Sequence, residues 1–461
     1  MPRATGHIPE MKSLIVKKLQ HWITKLAERL SGQPLTSIHH KLDLSLLAEA
    51  HHQLGRRKAT GIDGVSKTDY EDGIVSKLQW LLDKVRSQTY RAPAVRRVDI
   101  PKPDGTTRPL GVPTYEDKVL QKAFVFLVEP VFEKEFHDGS YGYRPGRTQH
   151  DALRAVDRAI GDRHHWIIEL DIKGYFDSIP HSQLREMFSH RIQDGVLNRL
   201  VLGWLKAGVM KEGNWQASEA GTPQGGIVSP LLANLYLHDV LDQWIEKDVK
   251  PVLRNGVRLI RYADDALLCF RDQSDAQRVY QVLSKRFGKY GLTLHPEKTK
   301  LLDFRPPPMR EESASETFNF LGFTHYWGRT RTGGWSPKLK TEGKRLRRKL
   351  QEIGEWCRKN RHLPISEQQA KLRQKVSGHI DYYGVSHNTP ALHRFERGVL
   401  YTWRKWLNRR GSPKRITLSP AWDAMRARHP WVKIRIKHRL WGPLPAKPST
   451  REETEELRLH G

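Results

Sequence analysis

The stretch Leu259-Ile260-Arg261-Tyr262-Ala263-Asp264-Asp265-Ala266-Leu267-Leu268-Cys269-Phe270 decides how the rest of the chain is read. Two apolar runs of strand formers flank an Asp-Asp pair, which sets both acids at a tight turn between antiparallel strands. Adjacent carboxylates in an apolar hairpin are costly to desolvate unless cations compensate them, and hard oxygen donors suit Mg²⁺. A bare Asp-Asp pair is usually a solvated turn; the apolar arms argue otherwise here. A second acid, Asp171, ends the run Trp166-Ile167-Ile168-Glu169-Leu170. If that run is a strand beside the hairpin, Asp171 and Asp264 converge on two metals. Two metals roughly 3.5–4 Å apart stabilise the attacking and leaving oxygens of an in-line phosphoryl displacement, which is the chemistry of nucleotidyl transfer.

Composition narrows the partners. The 461 residues carry 79 Lys and Arg against 51 Asp and Glu, a net charge of +28, and such an excess points to a polyanion. Residues 331–439 hold 28 of the basic and 7 of the acidic residues, a net +21, so three quarters of the excess lies in under a quarter of the length. Hydrophobic residues make up 38%, enough for packed cores and too many for a disordered basic tail. No run of 18 apolar residues occurs and no secretory segment opens the chain, so no membrane partner is expected. Two cysteines, Cys269 and Cys357, are too few for a disulfide framework or a Cys-rich zinc site. A reduced, cytoplasmic protein associated with nucleoid or RNA is expected. The paired histidines, such as His51-His52 and His164-His165, lack the i, i+4 spacing of a helical metal site.

Periodicity predicts helices through Leu44, Leu47, Ala48 and Leu54 and through Ile74, Leu78, Leu81, Leu82 and Val85. Strands are predicted at Val95–Ile100, Trp166–Leu170 and Leu259–Phe270, with a hairpin turn at Pro103-Asp104-Gly105. A break falls at Arg305-Pro306-Pro307-Pro308. Beyond Pro337 the chain reads as basic helix, with an apolar stripe of Leu346, Leu350 and Ile353.

Tyr262-Ala263-Asp264-Asp265 and the Asp171 strand resemble the metal-binding motifs of reverse transcriptases. Gly221-Thr222-Pro223-Gln224-Gly225-Gly226-Ile227-Val228-Ser229-Pro230-Leu231-Leu232 is similar to the group II intron-encoded branch, the maturase reverse transcriptases. Further matches follow in order: Gly61-Ile62-Asp63-Gly64, Ile100-Pro101-Lys102-Pro103, Arg108-Pro109-Leu110-Gly111, Tyr141-Gly142-Tyr143-Arg144-Pro145-Gly146-Arg147, His295-Pro296-Glu297-Lys298 and Phe320-Leu321-Gly322-Phe323. The resemblance covers about residues 55–325 and, more diffusely, the basic region beyond. It implies an α+β right-hand polymerase fold of fingers and palm, followed by a helical thumb and a small basic DNA-binding domain. The expected divisions are residues 1–85 as a helical extension and start of the fingers, 86–330 as fingers and palm, 331–390 as thumb, 391–445 as the DNA-binding domain and 446–461 as a mobile acidic tail.

By the same resemblance Asp171 and Asp264 bind two Mg²⁺ ions, with Asp265 a ligand or near-ligand. Lys102 and Arg108 contact the incoming triphosphate, Gln224 meets the nucleotide sugar, and Phe176 blocks a ribose 2′-OH. Lys298 either protonates the leaving pyrophosphate or contacts a phosphate. Phe320, Leu321, Gly322 and Phe323 form a primer grip. Gly378-His379-Ile380-Asp381-Tyr382-Tyr383-Gly384 resembles the thumb motif, with His379 where Trp is frequent. Arg345, Arg348, Arg404, Lys405, Arg409 and Arg410, beside Trp403 and Trp406, suit a phosphate backbone with stacking aromatics. The expected partners are group II intron RNA, an RNA template, a DNA primer or target, and dNTPs; the sequence sets no oligomeric state. A C-terminal Cys/His endonuclease domain is not read in the chain, so a primer from another source, such as a nascent strand at a replication fork, is expected.

Three functions follow. The first is an intron-encoded reverse transcriptase that also assists splicing and supports mobility by target-primed reverse transcription. The second is a free-standing enzyme of the same type in defence or repair, and the third a non-catalytic RNA-binding splicing factor. The complete set of predicted metal carboxylates disfavours the third.

Overall fold

A computed structural model of the protein describes residues 8–30, 32–56, 59–101, 107–211, 214–216, 221, 225–308, 316–410, 419–428 and 431–440. Helices α1 (Ile8–Leu30), α2 (Leu44–Gln53), α3 (Lys67–Glu71) and α4 (Ile74–Arg86) precede the hairpin β1 (Val95–Pro101) and β2 (Thr107–Val112). Asp43 caps α2 by accepting the Leu46 amide at 2.8 Å, and Ser66 with Asp69 forms a capping box at α3. Helices α5 (Tyr115–Glu135) and α6 (Gln149–Gly161) lead to β3 (Trp166–Leu170). Next come α7 (Tyr175–Ser178), α8 (His181–Ser189), α9 (Gly195–Lys206), β4 (Val209–Lys211), β5 (Asn214–Gln216) and α10 (Ser229–Leu237). Two π-helical turns, His238–Asp242 and Ile245–Val249, extend α10. The hairpin β6 (Val257–Tyr262) and β7 (Asp265–Phe270), helix α11 (Gln273–Lys289) and β8 (Lys300–Asp303) follow. The remainder is β9 (Phe318–Phe320), β10 (Phe323–Arg329), β11 (Trp335–Thr341), α12 (Gly343–Lys359), α13 (Ile365–Tyr383), α14 (Thr389–Leu407) and α15 (Ser419–Arg428). The mixed α+β class expected from the sequence is observed, and so are the predicted helices α2 and α4.

Two compact units are present. Residues up to 148 and from 168 to 301 form the first; residues 149–167 and those from 302 onward form the second. In the first, one four-stranded sheet has the order β2-β1-β4-β5, with β1 antiparallel to β2 and parallel to β4. A further four-stranded sheet has the order β6-β7-β3-β8, so the Asp-Asp hairpin lies beside the strand that leads to Asp171. Helix α5 is buried on nearly every side, from Tyr115 to Phe132, because it is apolar around most of its circumference and packs on α1 and α2.

In the second unit, β11-β10-β9 form an antiparallel sheet. The helix expected after Pro337 begins later. Pro337 pairs with Trp327 on the edge strand β11, where its missing N–H costs no ladder bond, and α12 starts only at Gly343. Helices α12, α13 and α14 share one core of Leu346, Ile353, Cys357, Leu372, Val376, Ile380, Phe395, Val399, Trp403 and Leu407. No helix among the described residues is long and apolar enough to cross a membrane. The expected acidic tail, 446–461, lies outside the described residues.

Candidate active site

Strands β6 and β7 run in register from Val257↔Phe270 to Tyr262↔Asp265, leaving Ala263 and Asp264 as a two-residue turn. Ala263 takes the left-handed conformation at φ 57°, which its small side chain tolerates better than a bulkier one would. Asp264 is half-buried in this turn, and Asp265, the first residue of β7, is exposed. Gly142 lies against the turn: a Cβ there would stand 2.3 Å from the Ala263 nitrogen, so only glycine fits.

Beneath the turn is Arg261, fully buried. Its guanidinium donates through Nε and Nη2 to the two carboxylate oxygens of Asp242 at 2.9 and 2.6 Å. Nη1 donates to Asn234 Oδ1 at 2.9 Å and to the Ala263 carbonyl at 3.0 Å, while Asn234 Nδ2 donates to the Gly142 carbonyl at 2.7 Å. Burial alone would raise the Asp242 carboxyl, but the Arg261 charge and the bonds from His238 and Arg261 hold it at about 2. Asp242 closes the π-helical turn 238–242, a widened register found frequently at functional sites. Sequence reading missed this clamp, although a signal existed. An Arg at an inward position of an otherwise apolar strand has to be paired.

Asp171 follows β3 and is held by its backbone. Its carbonyl accepts the His295 amide at 2.8 Å, and the Thr299 hydroxyl lies 3.3 Å from both its amide and its carbonyl. The carboxylate, about one-third exposed, is 3.3 Å from Lys298 Nζ, so a cation already stands at it. Burial pushes the Tyr175 phenol well above its usual range; Arg261 opposes this and Asp264 adds to it. The Asp264 carboxylate and the segment after Asp171 are therefore electrostatic neighbours. Among the described residues no three His, Cys, Asp or Glu side chains form a cage for an ion. Mg²⁺ is ordinarily held by one or two carboxylates completed by substrate phosphates and water, and Asp171 and Asp264 are donors of that kind.

Phe176 is half-buried on α7 beside Tyr175, with ring centroids 5.4 Å apart. Gly221 packs on this segment: a Cβ would meet Asp177 Cα and Phe176 O at 2.8 Å, and the Gly221 amide donates to Ile179 O at 2.8 Å. Gln224 and Lys102 lie outside the described residues, as does the side chain of Arg108. The backbone of Arg108 pairs with Ile100 in the expected hairpin.

In the second unit, Phe320 ends β9 and Phe323 begins β10, with Leu321 (φ 50°) and Gly322 (φ 80°) as a two-residue turn of the kind that matches strand twist. Both Phe rings are buried, and Tyr382 donates to the Leu321 carbonyl at 2.9 Å. His379 is buried on α13 and stacks on Phe395 at 3.8 Å. Trp403 corrects one expectation. It is 1% exposed, donates to Gln368 Oε1 at 3.0 Å and packs near Trp422 and Trp431, so it cannot stack on a base. Trp406 is partly buried against the same core. The exposed aromatic on α14 is Tyr401, at 73%, on a face with Arg394, Arg397, Lys405 and Arg409. Arg410 donates to the carbonyls of Arg361 and Leu363. Arg345 pairs with Glu342 at 3.1 Å and Arg348 with Glu352 at 3.7 Å. Arg404 lies over Trp422.

Residues 100–325 match the family model of reverse transcriptase (RNA-dependent DNA polymerase). Protein YkfC of Escherichia coli (strain K12) is 39% identical over 273 residues, covering 52% of this chain and 71% of that protein. Group II intron-encoded protein LtrA of Lactococcus lactis subsp. cremoris is 36% identical over 197 residues, 42% of this chain and 33% of LtrA. Nuclear intron maturase 2, mitochondrial, of Arabidopsis thaliana is 27% identical over 189 residues, 32% of this chain and 25% of that protein. The match thus spans about a third of LtrA and a quarter of the plant maturase.

Proposed function

The chain belongs to the group II intron-encoded reverse transcriptases, and from that premise we propose that it is an RNA-directed DNA polymerase that also binds its intron RNA to assist splicing. We extend the proposal to intron mobility by target-primed reverse transcription. The observation that carries it is Asp264 in a clamped two-residue turn, on the hairpin beside the strand that Asp171 directly follows.

Asp171 and Asp264 would hold two Mg²⁺ ions, with exposed Asp265 as a near-ligand. Once bound, the ions would supply charge neutralisation at the attacking and leaving oxygens. The primer 3′-OH loses its proton to solvent as its oxygen attacks the α-phosphorus of a dNTP, the bond from that phosphorus to the bridging oxygen breaks, and pyrophosphate leaves. Lys298, which stands 3.3 Å from the Asp171 carboxylate, is the cation for the leaving pyrophosphate. Lys102 and Arg108 hold the triphosphate, Gln224 orients the sugar, and Phe176 excludes a 2′-OH. In the second unit, which we read as thumb and DNA-binding region, the turn Phe320 to Phe323 grips the primer through its backbone, because its two rings are committed to the core. The basic surface of α12 and α14 tracks the nucleic-acid backbone, with Tyr401 in the stacking role first expected of Trp403.

Purified protein should extend a DNA primer on an RNA template with dNTPs and Mg²⁺. Asp264→Ala should abolish extension while RNA binding persists; undiminished extension by that variant would overturn the metal-site assignment. For the maturase role, RNA copurifying with the protein should be dominated by one structured intron that splices at lower Mg²⁺ in its presence. A random RNA population would count against it.

A further inference from the structure

Three donors converge on a buried carboxylate far from the Asp-Asp turn in sequence. Asp117, in the first turn of α5, is 2% exposed. Its Oδ1 accepts the Tyr90 hydroxyl at 2.8 Å and the Trp204 indole N–H at 2.6 Å. Its Oδ2 accepts Gln121 Nε2 at 2.9 Å. Gln121, 3% exposed, in turn accepts the backbone amides of Ile227 and Val228 through Oε1, at 2.7 and 3.3 Å.

Every link in this chain has one allowed direction. The indole N–H and the two backbone amides can only donate, so an acceptor is required at each end. That requirement fixes the Gln121 amide, with its oxygen toward Ile227 and its NH₂ toward Asp117. Burial pushes the Asp117 carboxyl up to about 6 against the Tyr90, Trp204 and Gln121 bonds; with donors seated on both of its oxygens, it serves the relay as an acceptor. The amides it reaches follow Gln224 by three and four positions in the sequence. Gly221 is seated on α7, and Gly225 is pressed on β2, where a Cβ would meet Gly111 O at 2.7 Å.

We propose that Asp117 and Gln121 are positioning residues for the incoming deoxynucleotide: their one-way hydrogen-bond relay fixes the backbone at Ile227 and Val228, three and four residues past Gln224 in the sequence. This rests on the proposed polymerase reading, in which Gln224 and Phe176 meet the sugar.

The relay can be reversed as well as broken. In Asp117→Asn the side-chain oxygen must stay on Trp204, so an NH₂ faces the NH₂ of Gln121; in Gln121→Glu two carboxylates face each other. Either mismatch is a buried unsatisfied contact, worth a factor of roughly 5 to 150 in an equilibrium that depends on it. The double variant Asp117→Asn/Gln121→Glu restores a donor facing an acceptor at every link, with the same net charge. Primer extension on an RNA template with dTTP should show each single variant raising the KM for dTTP by about tenfold or more. Their affinity for primer–template should be unchanged, and discrimination against rUTP reduced. The double variant should return toward wild type. Amide hydrogen exchange at Ile227 and Val228 should follow the same pattern without reference to activity. Tyr90→Phe leaves the relay's direction intact and serves as the control for general destabilisation.

Single variants with wild-type KM and exchange, a Tyr90→Phe variant as impaired as Asp117→Asn, or a double variant no better than the singles would each overturn the relay. Should a single variant fail to fold, the double decides: folded with a near-wild-type KM supports the relay, unfolded or raised in KM refutes it. Wild-type protein without extension activity, or an active Asp264→Ala variant, would sink the polymerase reading instead, and the exchange measurement would still judge the relay.

Discussion

Replacing Asp242 with Asn tests whether the clamp beneath the Asp-Asp turn only stabilises the fold or also sets the position of Asp264. The substitution keeps shape and volume but removes the one carboxylate that neutralises fully buried Arg261. An Asn oxygen can accept from one of the two guanidinium donors, and its NH₂ then opposes the other. Breaking a buried ion pair from one side typically costs about 3–5 kcal/mol. For a domain of this size each kcal/mol lowers the melting temperature by roughly 2–4 °C, so a fall of about 6–20 °C is expected. The same guanidinium donates to the Ala263 carbonyl at 3.0 Å, so a tilt of Arg261 moves the turn. A displacement of about 1 Å at reacting groups can cost roughly 100-fold in rate. Single-turnover primer extension at saturating dNTP, beside a thermal melt, separates the two effects. A lower melting temperature with unchanged extension rate would refute positioning; no change in either would refute the clamp.

Three further outcomes are expected. Gly142→Ala, whose Cβ would overlap the Ala263 nitrogen, should reduce single-turnover extension by about 100-fold with primer–template affinity retained. Asp117, held at about 6, contributes stability that is present below pH ~4 and lost as pH rises through 6, by roughly 3 kcal/mol. Asp242, held at about 2, acts oppositely: its contribution is present above pH ~4 and lost toward pH 2, by roughly 2 kcal/mol. Urea midpoints at pH 4.5 and 7 should therefore differ less in Asp117→Asn than in wild type, and an unaltered difference would contradict the assignment. Neutralising Lys405 or Arg409 to Gln should each lower the slope of log affinity against log salt by about 0.7–0.9, and Tyr401→Ala should weaken single-stranded RNA binding by roughly 1–3 kcal/mol.

The hairpin was legible because its signal is local: two apolar arms and a polar turn within twelve consecutive residues. Asp171 was legible for the same reason, as an acid ending a short apolar run. The clamp was not, because Arg261, Asp242 and Asn234 lie 19 and 27 positions apart and meet only through a π-helical turn that no composition rule announces. Trp403 was misread because basic neighbours in sequence were taken for neighbours in space. On α14 the exposed Arg394, Arg397 and Lys405 lie on the side away from Phe395, Val399, Trp403 and Leu407, which face the core. Tyr401, two positions away, lies on the exposed side. The relay from Asp117 to Ile227 joins positions 110 residues apart, and nothing local at either end reveals its direction.

Helix α6 belongs to the second unit, yet the ribosome makes it long before the rest of that unit. His150 donates through Nε2 to the Tyr382 carbonyl and stacks on His438, and Arg154 donates to the Arg439 carbonyl, so its partners emerge more than 200 residues later. At about 5–20 residues per second the nascent chain waits roughly 10–60 s for these partners of α6. During that interval Leu153, Val156 and Ile160, buried in the finished protein, are open to wrong partners. A fragment ending near residue 301 would make that exposure permanent. Synthesis of the intact chain, and the chaperones that meet it, must therefore bridge a delay written into the order of its segments.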